Sequence, residues 1–155
     1  MAARDLRIWG KMKAMGASLD SVVARYPGAD CFRFGDSAAL SDELLALVRS
    51  GKKRATCTHM AELEAGAARP EVGRRDIAMN FDGTPALVIE TVEVVDTSFD
   101  RITEEMALLE GEDETLAGWR ENHERYYRRL GVFAPDMPLI WERFGVVEDF
   151  GEATA

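Results

Sequence analysis

The chain has 155 residues with 28 acidic and 19 basic side chains, a formal charge of -9, and two cysteines. That length fills one core better than two, and the acidic surplus argues against wrapping duplex DNA, where affinity comes largely from Lys and Arg neutralising phosphates. Cys31 and Cys57 form no CxxC and meet no histidine at ligand spacing, so neither a disulfide framework nor a zinc site is expected.

Arg4, Asp5, Arg7, Lys11 and Lys13 interrupt any secretory apolar run at the start. The longest apolar stretch, from 85 to 95, carries Glu90 and Glu93 and is not expected to span a bilayer. A cytoplasmic protein is the expectation. Basic residues gather from 49 to 54, at Arg69 with Arg74 and Arg75, and from 120 to 129. A local basic pocket on an acidic surface suits a nucleoside or a short strand.

In chain order, Leu6, Ile8, Trp9 and Met12, then Leu19, Val22 and Val23 behind Ser18 as N-cap, predict two short helices that end at Tyr26-Pro27-Gly28. A short strand over 31–34 and a Gly35-Asp36-Ser37 turn follow. Leu40, Leu44, Leu45, Leu47 and Val48 recur at helical spacing, with Ser41 as the expected cap and Gly51 as the left-handed C-terminal residue. The helix then hands over to a basic turn and a strand through Gly51-Lys52-Lys53-Arg54-Ala55-Thr56-Cys57-Thr58. Lys53 and Thr56, three apart across that turn, can present an amine and a hydroxyl to one cleft. A basic turn after a helix can equally just complement the macrodipole. A phosphate-binding Walker loop is excluded, because Ala46 stands at its first glycine position and Lys53 follows Lys52.

A short helix is expected over 59–67, closed by Gly66, with His59 in an exposed or structural role. Asp82-Gly83 between β-rich segments at 76–81 and 84–95 predicts a hairpin whose second strand is buried on both faces. A connection over 97–101 leads to a helix from Thr103 bearing Met106, Ala107 and Leu109, which runs into the acidic segment 110–115. That segment lacks the spaced ligands of an EF-hand and reads as a solvated junction. Glu110, at the end of the apolar-faced helix, stands apart as a carboxylate able to exchange protons with Lys53. The next helix, over 116–130, interleaves Trp119, His123, Tyr126 and Tyr127 with Arg120, Arg125, Arg128 and Arg129. Such a pattern can stack bases and hold phosphates, or simply face a core. One or two strands over 138–147 and an acidic tail close the chain. Strands interrupted by helices without a βαβ rhythm predict an α+β domain on a small, mostly antiparallel barrel.

Phe34-Gly35-Asp36-Ser37, the Gly51-x-Lys53-x-x-Thr56 block, Glu110-Gly111-Glu112 followed by Trp119-Arg120-x-x-His123, and Glu142-Arg143-Phe144 together resemble the ASCH domain proteins of the PUA-like superfamily. The resemblance covers residues 32–147. It implies a single ASCH domain with a core over 30–148 behind N-terminal helices over 1–28, built as a PUA-like barrel flanked by helices. It also implies the activity of the small ASCH amidohydrolases, which deacylate acetylcytidine and related nucleosides with a Lys, Thr and Glu triad; the matching residues are Lys53, Thr56 and Glu110. Lys53 would take the Thr56 proton, Thr56 would attack the acyl carbonyl, and Glu110 would pass a proton to the leaving amine, with no metal or other cofactor required. Backbone N–H groups from 56 to 58 are the expected oxyanion donors. Arg54, Thr58, Arg75, Arg120 and Tyr127 are the candidate substrate-binding residues, for a small-molecule nucleoside or a modified RNA base. Arg74-Arg75-Asp76 departs from the family's usual Gly-Asp at this point. Other ASCH members bind or cleave RNA, so a ribonuclease, with or without a metal at Glu110 and Glu112, and a non-catalytic binding module remain the alternatives.

Overall fold

In a computed structural model, residues 18–151 are described. The first expected helix, at Leu6 to Met12, lies outside them. The described chain divides into two compact units, one of residues 18–45, 75–89 and 146–151, the other of 46–74 and 90–145. Helix α1 (Leu19–Arg25) starts where Ser18 accepts from the Ser21 N–H. Strand β1 (Cys31–Phe32) is followed by helix α2 (Ala38–Arg49), strand β2 (Ala55–His59) and helix α3 (Met60–Glu64). Strands β3 (Arg75–Met79) and β4 (Pro85–Ser98), a 3-10 turn (Phe99–Arg101), helices α4 (Glu104–Leu109) and α5 (Leu116–Arg129), and strand β5 (Pro138–Asp149) complete the order.

The five strands hydrogen-bond in the order β1-β3-β4-β5-β2, with β1 parallel to β3 and β2 antiparallel to β5. This is an α+β arrangement on a mixed sheet whose ends are β1 and β2. The Asp82-Gly83 turn joins β3 to β4 as expected, with Gly83 at φ +91° and the Gly83 N–H donating to the Asn80 carbonyl. The first five residues of β4 are buried without alternation, so that part of the strand is covered on both faces. Beyond it β4 continues to Ser98 and takes in the first two residues of the segment expected as a connection, the rest forming the 3-10 turn.

Each unit has its own core. In the first, Val22, Ile77, Met79 and Val88 cluster, with Cys31 and Tyr26 packed against them. In the second, Phe99, Ile102, Trp119, Tyr127, Leu139 and Trp141 pack together, joined by Ala55 from β2 and Ala107 from α4. The aromatic positions of α5 are therefore core: Trp119 and Tyr127 are buried, and their neighbouring arginines are occupied elsewhere. Arg125 pairs with Glu121, Arg128 pairs with Glu124, and Arg129 lies over the Tyr126 ring. Among the described residues no helix is long and apolar enough to cross a membrane.

Ser41 is not the cap of α2. The helix begins a turn earlier, the Leu40 N–H donates to the Ser37 hydroxyl, and Ser41 is buried within the helix. An apolar period marks a helical face but does not mark its first residue, and Ser37 and Ser41 share that face.

Candidate active site

The site is built in the second unit, from the end of α2 outward. Gly51, at φ +82°, ends the helix in a Schellman arrangement: its N–H donates to the Val48 carbonyl and the Lys52 N–H to the Leu47 carbonyl. The Lys53 N–H also donates to the Leu47 carbonyl, so the lysine backbone is fixed by the same helix end. The turn is then tied to two other elements, through the Arg54 N–H donating to Leu109 at the end of α4 and the Phe144 N–H of β5 donating to the Arg54 carbonyl.

From this anchored backbone the Lys53 side chain runs inward and is only 1% exposed. Three acceptors surround Nζ: the Ala55 carbonyl at 2.9 Å, the Glu110 carbonyl at 3.4 Å and Glu112 Oε2 at 2.8 Å. Glu110 Oε1 stands 3.9 Å away, and that carboxylate is also 1% exposed. Gly111 makes the approach possible. It sits at φ +75° against the Lys52 carbonyl, and a Cβ there would come within 2.8 Å of the Lys53 Cα. Any side chain at 111 would push the glutamate turn off the lysine.

Two further groups hold the Glu110 carboxylate. Cys57 Sγ donates to Oε2 at 3.3 Å, and His123 Nε2 lies 3.4 Å from Oε1. The imidazole stacks on Trp119 with centroids 4.1 Å apart, and its Nδ1 is 3.0 Å from the Trp119 carbonyl. Both ring nitrogens thus face acceptors, which favours the doubly protonated ring. Burial works hardest against charge on both partners. For Glu110 it is outweighed by the His123 hydrogen bond and the Lys53 charge, and the carboxyl is held below its ordinary value. For His123 it is outweighed by the bond and charge of Glu110, with help from Glu112, and the pKa is raised. Burial, reinforced by the Glu110 charge, pushes the Cys57 thiol well above its usual value, so it is not primed as a nucleophile.

Thr56 is placed differently. On β2 the side chains alternate, and Cys57 contacts Glu110 while Ala55 joins the second core, so Thr56 and Thr58 occupy the opposite face. Among the described residues no hydrogen bond joins the Thr56 hydroxyl to Lys53 or Glu110. Its partner in the ladder is Glu142. Because Phe144 bonds to Arg54, the antiparallel alternation turns the Thr56 and Thr58 N–H groups toward β5 and the Cys57 N–H away from it. Of the three expected oxyanion donors, the strand edge therefore presents that of Cys57.

The remaining expected positions are scattered. Arg54 folds back onto the Gly51 carbonyl at 2.8 Å. Arg120 reaches the carbonyls of Asp100 and Ile102, Arg75 opens β3 in the other unit, and Tyr127, 2% exposed, packs its ring edge-on to His59. His59 is buried as the N-cap residue of α3, its Nε2 3.3 Å from Glu62, which is a structural role. Sequence reasoning left out His123 as a site member and placed Glu112 only in the metal-dependent alternative; the Glu-Gly-Glu block with a histidine one helix later was the available signal. One ligand atom from each of Glu110, Glu112 and His123 falls within 4.8 Å of the others, as a metal site would require. The Lys53 amine already stands beside both carboxylates, so a cation would meet it there.

The family model described as ASCH domain matches residues 30–148. Protein EF3133 from Enterococcus faecalis V583 has a similar crystal structure, at 28% identity over 90% of this chain and 91% of that one, with a TM-score of 0.74. An ASCH domain from Lactobacillus crispatus JV V101 is also 28% identical, over 92% and 93% of the two chains, with a TM-score of 0.67. The hypothetical protein PH0355, at 12% identity over 76% of this chain and 99% of that one, shares the fold with a TM-score of 0.52. No curated protein matches.

Proposed function

The chain belongs to the ASCH domain family, within the PUA-like superfamily, and on that footing we propose that it is a metal-independent amidohydrolase acting on cytosine nucleosides acylated at the exocyclic amine, such as acetylcytidine. The observation that carries this reading is the burial of Lys53 and Glu110 in one cluster, from segments far apart in the chain, against the strand that bears Thr56. Burying two opposite charges costs several kcal/mol per ion before their attraction offsets it, and apolar residues fill the same space at no such cost. Charged groups kept in a dry cluster are candidates for proton transfer.

In this mechanism Thr56 Oγ attacks the acyl carbon. The Cys57 N–H at the strand edge receives the developing oxyanion, and the Lys53 and Glu110 pair supplies the proton for the leaving cytosine amine. The resulting Thr56 ester is hydrolysed by water. His123 and Cys57 hold the Glu110 carboxylate in place and in its charged form.

The test is mass-resolved analysis of the protein with free acetylcytidine and with an RNA containing it. Cytidine release by the wild type, abolished in Lys53→Ala and Thr56→Ala and unchanged by a chelator, is expected. Undiminished release by either variant removes the triad. The grouping of Glu110, Glu112 and His123 favours one second reading, a metal-assisted ribonuclease. It predicts RNA fragments that disappear on chelation.

A further inference from the structure

We infer that Glu142, held by Thr91, is the base that takes the proton from Thr56. This rests on the reading of Thr56 as nucleophile and replaces Lys53 in that one step. Thr56 and Glu142 are direct partners between β2 and β5, so their side chains leave the sheet on the same face, with Cα atoms about 5.5 Å apart in a hydrogen-bonded pair. A glutamate opposite a threonine at that spacing is long enough to reach its hydroxyl. Glu110 is bound to the other side of β2 through Cys57, and the Lys53 amine lies at the outer edge of the strand, on the Ala55 carbonyl that points away from β5.

Glu142 has the character of a functional carboxylate. It is 8% exposed, and the Thr91 hydroxyl on β4, itself 1% exposed, donates to its Oε1 at 2.7 Å. A buried carboxylate is costly to keep unless it is bonded. In the order β4-β5-β2, Glu142 stands between Thr91 on one side and Thr56 on the other, and the Thr91 bond fixes Oε1, as the orienting member of a nucleophile, base and orienter set does. Thr91 is fixed in turn by its backbone, whose N–H donates to the Arg74 carbonyl and whose carbonyl accepts from Gly73.

The proton balance closes with both carboxylate sites in use. The Thr56 proton moves to Glu142 as Oγ bonds to the acyl carbon and the carbonyl electron pair shifts to oxygen. Collapse breaks the C–N bond, and the leaving nitrogen takes a proton from the Lys53 and Glu110 pair. Water then attacks the ester and returns a proton to that pair. The departing Thr56 oxygen recovers its proton from Glu142, and both sites are restored.

Glu142→Gln keeps an oxygen for the Thr91 hydroxyl and keeps the volume, but it cannot take a proton. Removal of a general base is expected to lower kcat on acetylcytidine by about 100-fold or more, with KM little changed. Thr91→Val, which loses only the orienting bond, is the second variant, with an expected loss of about tenfold. A substrate-independent arm follows acetylation of Thr56 by p-nitrophenyl acetate, using peptide mass spectrometry with Thr56→Ala as control. It is expected in the wild type and slowed to the same degree in Glu142→Gln. Acetylation of Thr56 at the wild-type rate in Glu142→Gln and Thr91→Val, or none in the wild type, overturns the assignment. Glu142-dependent acetylation without turnover of acetylcytidine supports Glu142 and removes the nucleoside reading instead. Wild-type turnover of acetylcytidine by Glu142→Gln does the reverse.

Discussion

Replacing Lys53 with methionine tests whether the buried cluster is held by charge. The amine lies 2.8 Å from Glu112 and 3.9 Å from Glu110. With an effective dielectric near 20, the attractions are roughly 6 and roughly 4 kcal/mol. Most of this is offset by the cost of desolvating the amine, so the intact cluster adds little net stability. Removing only the lysine is different, because the carboxylates stay behind. Losing one member of a buried pair costs about 3–5 kcal/mol. Here the lower end applies, since Glu110 keeps His123 and Cys57 while Glu112, 25% exposed, turns to water. The expected loss of about 3 kcal/mol lowers Tm by roughly 6–12 °C in a protein of this size. Urea unfolding and thermal melts followed by circular dichroism measure it. The double variant Lys53→Met with Glu112→Gln removes one stranded charge and is expected to recover about 1 kcal/mol. A Lys53→Met protein as stable as the wild type, or a double variant less stable than the single, refutes the reasoning.

Gly111→Asn is expected to destabilise by more than about 2 kcal/mol, because its Cβ meets the Lys52 backbone, and to abolish activity by displacing Glu110. Gly51→Asn, with nothing closer to its Cβ than Arg54 Nη2 at 3.5 Å, is expected to cost under about 1 kcal/mol. Equal melting temperatures for the two would contradict the close-approach argument. The His123 and Glu110 bond has a pH window. The Glu110 pKa is depressed from 4.5, so its contribution is present above that value and lost as pH falls through the folded pKa. The His123 pKa is raised from 6.5, so its contribution is complete below that value and lost as pH rises through the folded pKa. The Tm difference between wild type and His123→Phe is therefore expected to be largest from pH 4.5 to 6.5; a difference that grows above pH 6.5 counts against the pairing. Finally, Cys57 in the folded protein is expected to react with iodoacetamide at pH 8 at least about tenfold more slowly than a free cysteine. Equal rates would remove the account of its thiol.

Signals that depend on neighbouring residues were readable without the structure. Gly51 closing an apolar-faced helix, the Asp82-Gly83 turn and the helix-forming period around Trp119 each follow from local backbone preference. Each also appears in the structure close to its expected place. The parallel pairing of β1 with β3 was not readable, because a two-residue strand has no period and takes its direction from its partner. Nor was the start of α2, where Ser37 and Ser41 offered equal local chemistry and the burial of Ser41 decided between them.

By itself, the sequence determined that Lys53, Thr56, Glu110 and His123 are present at the family's spacing and that each lies on an element, at the end of one, or in the turn that joins two. Tertiary structure alone decided how they are grouped. Gly111 lets the glutamate turn lie on the Lys52 and Lys53 backbone, Trp119 positions the His123 ring against Glu110, and the register of β2 on β5 puts Thr56 opposite Glu142. The reason is physical. Side-chain alternation along a strand says which residues share a face, but only hydrogen-bonded register between segments distant in the chain says which groups that face meets.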